Sequence, residues 1–234
     1  MNITNKINPN IWIETVILEF TKSSDPNVAI SMAKYMKNHF PFLGLTSPKR
    51  AAILSPLLSN IQRPSKSNLF TLTAHLWNLP EREYQYVAIA LLEKFEKQLT
   101  PEDIPQILAL IPEKSWWDTV DALAGSVLSK IVKKHPNCLY PCFQSLIASH
   151  NFWENRTAII VQLKCGSATN TEFLTQAILP HLPSKEFFLR KAIGWALRQF
   201  ARTNPSWVID FVNRYEPQLS GLSKREALKH LTTF

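Results

Sequence analysis

Glycine is scarce in this 234-residue chain, with five residues in all. So few leave no glycine-rich loop to cradle a phosphate and no G-x-S-x-G elbow to present a serine nucleophile, so nucleotide-dependent chemistry is not expected. Cysteine is equally sparse. Cys138, Cys142 and Cys165 are odd in number and suit a reducing compartment rather than a disulfide framework. The C-x3-C of "CLYPC" lacks a second Cys or His pair, and the six histidines show no H-E-x-x-H spacing. No metal and no cofactor is therefore expected. No apolar run approaches a bilayer span, and the N-terminal "MNITNKINPN" has no signal-peptide core. The expected location is cytoplasmic, away from any membrane.

What the chain does have is hydrophobic residue, at 45%, which is enough to bury a core. It also has an excess of cations: Lys and Arg number 26 against 18 Asp and Glu, a net charge of +8. That balance favours a polyanionic partner such as DNA, RNA or an anionic surface. Apolar residues recur at three- and four-residue spacing between Pro, Ser, Asn and Asp, which predicts an all-α chain. Ser115 with Asp118, Asn151 with Glu154, and Ser223 with Glu226 have the spacing of capping boxes. Pro48, Pro101 and Pro205 follow Ser, Thr or Asn, as prolines in a first helical turn do.

A short signature repeats inside the predicted helices: "RAAI", "YVAI", "VDAL", "RTAI", "RKAI" and "REAL". Their alanines are Ala52, Ala88, Ala122, Ala158, Ala192 and Ala227, separated by 36, 34, 36, 34 and 35 residues. A period near 35 accommodates one helical hairpin, as in HEAT-like solenoids. The predicted fold is thus a HEAT-like helical-repeat solenoid, an α-α superhelix with a basic concave groove. It would form one domain over 10–234 behind a flexible terminus at 1–9. Intervening segments such as "SNLFTLTAHLWN" and "TEFLTQAILPHL" would make the outer layer.

Two residues before each repeated alanine stand Arg50, Tyr86, Val120, Arg156, Arg190 and Arg225. Four arginines in one register predict a basic stripe suited to a duplex, unless each packs within or between repeats. Lys164, Lys185, Lys191, Arg198, Arg202, Lys224 and Lys229 add to the positive C-terminal half. Against this background "KSWWDTVDAL" is odd. Trp117 and Asp121, four apart, share a helix face, while Trp116 and Val120 turn to the core. Ser115 is read as the cap of this helix. In the repeat register Trp117 aligns with Trp153, and Asp121 with Thr157 and Lys191. An acid on a basic face either pairs with Arg156 to hold two repeats together or does chemistry, and the residues leave both readings open. A carboxylate beside aromatic faces stabilises a cation, such as an alkylated purine or a sugar losing its base. Tyr35 and Trp195 supply two more aromatics on polar helix faces.

Taken together, "MAKYMKNHFPFLG", "LWNLPEREYQYVA", "KSWWDTVDAL", "HNFWENRTAIIVQLK", "SKEFFLRKAIGWALRQFARTNP" and "LSKREALKHL" resemble the AlkD family of bacterial DNA glycosylases. The resemblance runs from about Ala29 to His230. It implies a monomeric enzyme of base excision repair that removes alkylated bases from double-stranded DNA and acts at the nucleoid. Its catalytic acid falls on Asp121, its site tryptophans on Trp117 and Trp195, its arginine on Arg156 and its tyrosine on Tyr35. Arg50, Lys164, Lys185, Arg190, Lys191, Arg198, Lys224 and Arg225 are the residues expected to meet DNA. The family is known for leaving the lesion stacked, and the chain matches its pattern at all five site positions. It departs in its short "LTTF" ending and in the residues before Asn10. The competing reading is a non-catalytic HEAT-like scaffold for nucleic acid or protein.

Overall fold

A computed structural model describes residues 6–231 of the chain. Helices account for the structure, and among the described residues there is no strand, only an isolated parallel bridge between Ile7 and Ile61. The helices gather into two compact units, Met1–Gln98 and Leu99–Phe234.

The first unit holds α1 (Pro9–Lys22), α2 (Pro26–Tyr35), α3 (Ser47–Asn60), α4 (Lys66–Asn78) and α5 (Arg82–Lys94). Proline opens α1 and α2, where its missing N–H costs nothing, and the Asn8 and Asp25 side chains cap the free amides. Trp12, Val16 and Phe20 recur every fourth residue and are fully buried, turning one face of α1 onto α3 and α4. The Trp12 indole N–H donates to the Leu57 carbonyl at 2.9 Å. Glu83, also fully buried, accepts from the backbone amides of Leu43, Gly44 and Leu45, each at 3.0 Å. This carboxylate ties down the segment that leads into α3. Gly44 is obligatory there: its φ is 85°, and a Cβ would lie 2.0 Å from the Asp25 carbonyl oxygen. Of the terminus expected to be flexible, residues 1–5 lie outside the described residues. Residues 6 and 7 hydrogen-bond to the end of α3, with Ile7 N–H donating to Asn60 O at 2.7 Å.

The second unit contains α6 (Ile104–Leu108) and α7 (Trp117–Ala122), which runs through a π-helical turn (Leu123–Leu128) into α8 (Ser129–Lys134). It continues with α9 (Leu139–Ile147), α10 (Phe152–Ile160), α11 (Thr171–Ile178), α12 (Phe187–Ala201), α13 (Pro205–Arg214) and α14 (Gly221–Leu228). All six signature segments fall in helices: α3, α5, α7 with the first residue of its π-helical turn, α10, α12 and α14. In this unit α7, α10, α12 and α14 pack in succession, while α9, α11 and α13 form a second layer against them. The alanines serve this stacking unequally. Ala88, Ala158, Ala192 and Ala227 are buried, Ala122 half-buried and Ala52 exposed.

Two predicted caps are corrected. The Ser115 hydroxyl donates back to the carbonyls of Ile111 and Pro112, and Trp116 occupies the cap position without a capping hydrogen bond from its side chain. Ser223 lies inside α14, whose cap is Ser220, and its hydroxyl donates to the Arg190 carbonyl at 2.8 Å. Asn151 does cap α10, accepting from Trp153 N–H. Trp116 packs against Trp153 and Phe188, with ring centroids 5.7 and 5.2 Å away. Trp153, aligned with Trp117 by the repeat, is therefore core.

Candidate active site

The short helix α7 carries Trp117 at its start and Asp121 one turn on, so both project to one side. Arg156, in the middle of α10, lies opposite. Its Nε and Nη2 donate to Asp121 Oδ1 and Oδ2, each at 2.7 Å, and its Nη1 donates to the Phe188 carbonyl at the start of α12. The guanidinium is nearly inaccessible, whereas the Asp121 side chain keeps 18% of its surface open. Burial lifts the Asp121 carboxyl above the ordinary carboxylate range. The Arg156 hydrogen bonds and charge pull it down, and nearby Asp118 adds to the rise. A carboxylate offers about four lone-pair sites, and this pairing occupies one on each oxygen.

On α12, Lys191, Trp195 and Arg198 share a face. With Trp117, Asp121, Arg156 and the two phenylalanines Phe187 and Phe188, they line a cleft of about 260 Å³. Glu226 of α14 closes its far side. It takes hydrogen bonds from Lys191 at 2.7 Å and from Arg198, and these hold its carboxyl below the usual range, the Lys191 bond first and the charges of its basic neighbours after. Such contact requires α14 to lie against α12, and Gly194 permits it: a Cβ there would meet Glu226 Cβ at 2.5 Å and Ser223 O at 2.9 Å. A second, smaller cavity of about 120 Å³ adjoins the first, sharing Asp121 and Trp195 and adding Ser126, Lys164 and Gln199.

Four of the five expected catalytic residues thus meet in one cleft: Trp117, Asp121, Arg156 and Trp195. Tyr35 belongs to the first unit, where it ends α2 and is 70% exposed. The expected DNA-contact residues divide. Arg50 lies over the Tyr86 ring at 4.4 Å and donates to Ser47. Arg190 donates to the Ser184 carbonyl at 2.7 Å, and Lys224 pairs with Glu216. Lys191 and Arg198 are held by Glu226, while Lys164, Lys185 and Arg225 are exposed. The arginine column therefore spends Arg50, Arg156 and Arg190 largely on its own chain.

Sequence reasoning passed over Glu226, Phe187, Phe188, Ser126 and Gln199. For Glu226 a signal exists, since it occupies the register position of Asp121, Thr157 and Lys191. Among the described residues no group of three or more His, Cys, Asp or Glu could hold a metal ion, and no helix is long and apolar enough to cross a membrane. Burial pushes the thiols of Cys138 and Cys165 up to about 11, which makes them poor nucleophiles.

A family described as DNA alkylation repair enzyme matches residues 16–231. No curated protein matches the chain. Among solved structures, a predicted DNA alkylation repair enzyme from Enterococcus faecalis is 36% identical, with a TM-score of 0.83 over 90% of this chain and 98% of that one.

Proposed function

Because the chain belongs to the DNA alkylation repair enzyme family, we propose that it is a glycosylase that hydrolyses the N-glycosidic bond of N3-alkyladenine and N7-alkylguanine in duplex DNA. The observation that carries this reading is the Asp121 carboxylate, fixed by Arg156 yet open to a cleft walled by Trp117 and Trp195. A base alkylated at these nitrogens is already cationic and leaves without protonation. What the protein must supply is negative charge and aromatic faces beside the sugar as positive charge develops there, and a base to take the proton of an incoming water. Asp121, Trp117 and Trp195 have those properties. Arg156 is a positioning residue that keeps the carboxylate oriented, and Glu226 offsets the positive charge of Lys191 and Arg198, which would otherwise oppose a cation in the same cleft.

These groups act at the deoxyribose, so the lesion is read while still stacked rather than flipped into a pocket. Lys164, Lys185 and Arg225, together with Tyr35 and the remaining basic residues, would meet the duplex, and the protein would act as a monomer in base excision repair in the bacterial cytoplasm. The reaction as drawn calls for no metal or cofactor. Incubation with methylated duplex DNA should release free alkylpurine, and absence of release from wild-type protein would overturn the assignment.

A second reading is favoured by one observation. The bidentate Arg156–Asp121 pair is itself a cross-link between neighbouring repeats, as a non-catalytic DNA- or protein-binding scaffold would need. If that were its purpose, Asp121→Asn would lower the melting temperature and the wild type would release no base.

A further inference from the structure

Asp121 borders two cavities. The smaller, about 120 Å³, is the less apolar of the two and large enough for a few water molecules, each occupying about 30 Å³ in the liquid. Its polar side chains, apart from Asp121, are Ser126, Lys164 and Gln199. Ser126 stands five residues after Asp121. On a regular α-helix, with about 100° per residue, positions five apart diverge by about 140° and could not line one small cavity. The π-helical turn at Leu123–Leu128 removes this obstacle, because its i to i+5 bonding brings residues five apart onto one face. The helix thus widens immediately after the acid, and Ser126 comes to share a cavity with Asp121. Gln199 reaches the same cavity from α12, one turn beyond Trp195, which lines both spaces.

We propose that this second cavity is the water site of the reaction, in which Ser126 and Gln199 hold the attacking water against Asp121. The assignment rests on the glycosylase reading above and deepens it. In the step, the C1′–N bond breaks and its electron pair leaves with the base, cancelling the base's positive charge. The water oxygen forms the new C1′–O bond and its proton passes to Asp121. The aromatic cleft then holds the sugar and the second cavity supplies the nucleophile, with Trp195 lining both. Burial of Asp121, which raises its affinity for a proton, suits it to receive one. Ser126 and Gln199 are positioning residues in this scheme.

The test is nucleophile partition. Wild-type protein, Ser126→Ala and Gln199→Ala are each reacted with duplex DNA carrying one N7-methylguanine, under single-turnover conditions in aqueous methanol. The sugar product is then resolved into free aldehyde and methyl glycoside. Hydrogen bonds from both Ser126 and Gln199 favour water over methanol, which has one O–H fewer, so the wild type should yield less methyl glycoside than the solvent composition dictates. Either variant enlarges the cavity and removes a hydrogen bond. The methyl glycoside share should rise severalfold toward the solvent ratio, with base release slowed by about tenfold and duplex affinity unchanged. Slower release with the wild-type product ratio would overturn the proposal, since a merely structural role affects rate and not partition. Wild-type rate and ratio in both variants, with Asp121→Asn inactive, would overturn the water site while leaving the glycosylase reading intact. No release by the wild type would remove both.

Discussion

At the scale of single residues, Asp121 is pulled two ways, and its pH behaviour follows. Burial raises its proton affinity and Arg156 lowers it, with the rise prevailing. In the proposed reaction base release needs the ionised form, so the acid limb of the single-turnover rate should lie above the ordinary carboxylate value of about 4. Arg156→Gln removes the lowering partner and should move that limb to still higher pH, which a rate profile from pH 4 to about 8 would show. For stability the sign is that of a raised acid: the native state keeps its proton longer than the unfolded chain. Asp121 therefore weakens the fold as pH rises from the unfolded to the folded value, and acidification through that window relieves it. Asp121→Asn should leave the helical fold intact and bind duplex DNA as tightly or more tightly, while base release falls by about 10- to 1000-fold, as measured by single-turnover assay. The chemistry also sets the substrate range. Neutral lesions such as uracil or hypoxanthine need a protonated leaving group, and the groups lining the cleft include no histidine. Matched duplexes carrying one lesion each should show release of cationic bases only.

At the scale of elements, the approach of α14 to α12 is the contact most exposed to a small change. Gly194→Ala gains about 1 kcal/mol of helix propensity, but the new methyl meets the Ser223 backbone and the Glu226 Cβ, neither of them the far end of a flexible side chain. Overpacking of this kind costs about 1–3 kcal/mol, so the clash outweighs the gain. The variant should melt lower than wild type by calorimetry and lose the Lys191–Glu226 contact. In the first unit, Glu83→Ala strands the two buried amides of Gly44 and Leu45 at about 1–3 kcal/mol each, and with the half-buried Leu43 amide this exceeds the roughly 1 kcal/mol of a typical substitution. Chemical denaturation should register it. The same elements explain what the sequence made legible. The six signature helices could be read because a small residue recurs in register, and a register survives without any knowledge of packing. The caps at Ser115 and Ser223 could not, because a capping box is a local pattern that other acceptors satisfy equally well: Ser115 finds the Ile111 carbonyl and Ser223 finds that of Arg190. Trp117, Asp121, Arg156 and Trp195 were nameable from register and resemblance. Glu226 was in the same column, yet its part depends on Gly194 letting two helices touch, and the π turn that brings Ser126 under Asp121 has no sequence mark beyond Gly125.

At the scale of the whole chain, the excess of eight positive charges is distributed unevenly in availability. Lys191, Arg198 and Lys224 are already paired with carboxylates, whereas Lys164, Lys185 and Arg225 are exposed. Lys185→Ala and Arg225→Ala should each make the logarithmic salt dependence of duplex binding shallower by about one, while Arg190→Ala, whose side chain grips Ser184, should change the slope less. Titrations at three or more salt concentrations decide this. The period itself reappears as contact. Asp121 with Arg156, Lys191 with Glu226, and Ser129 with the Lys164 amide are all joined across 35 residues. Under the proposed function these bonds would make the spacing along the chain a condition of activity, and so a limit on which heritable length changes the gene can absorb. A single added codon within α10 ahead of Arg156 turns that side chain by about 100° away from Asp121. The same addition in the turn at Pro183, between α11 and α12, leaves every helical face where it was. A library of one-codon insertions selected for survival under a methylating agent should therefore be depleted inside α7, α10, α12 and α14 and populated in the turns between them.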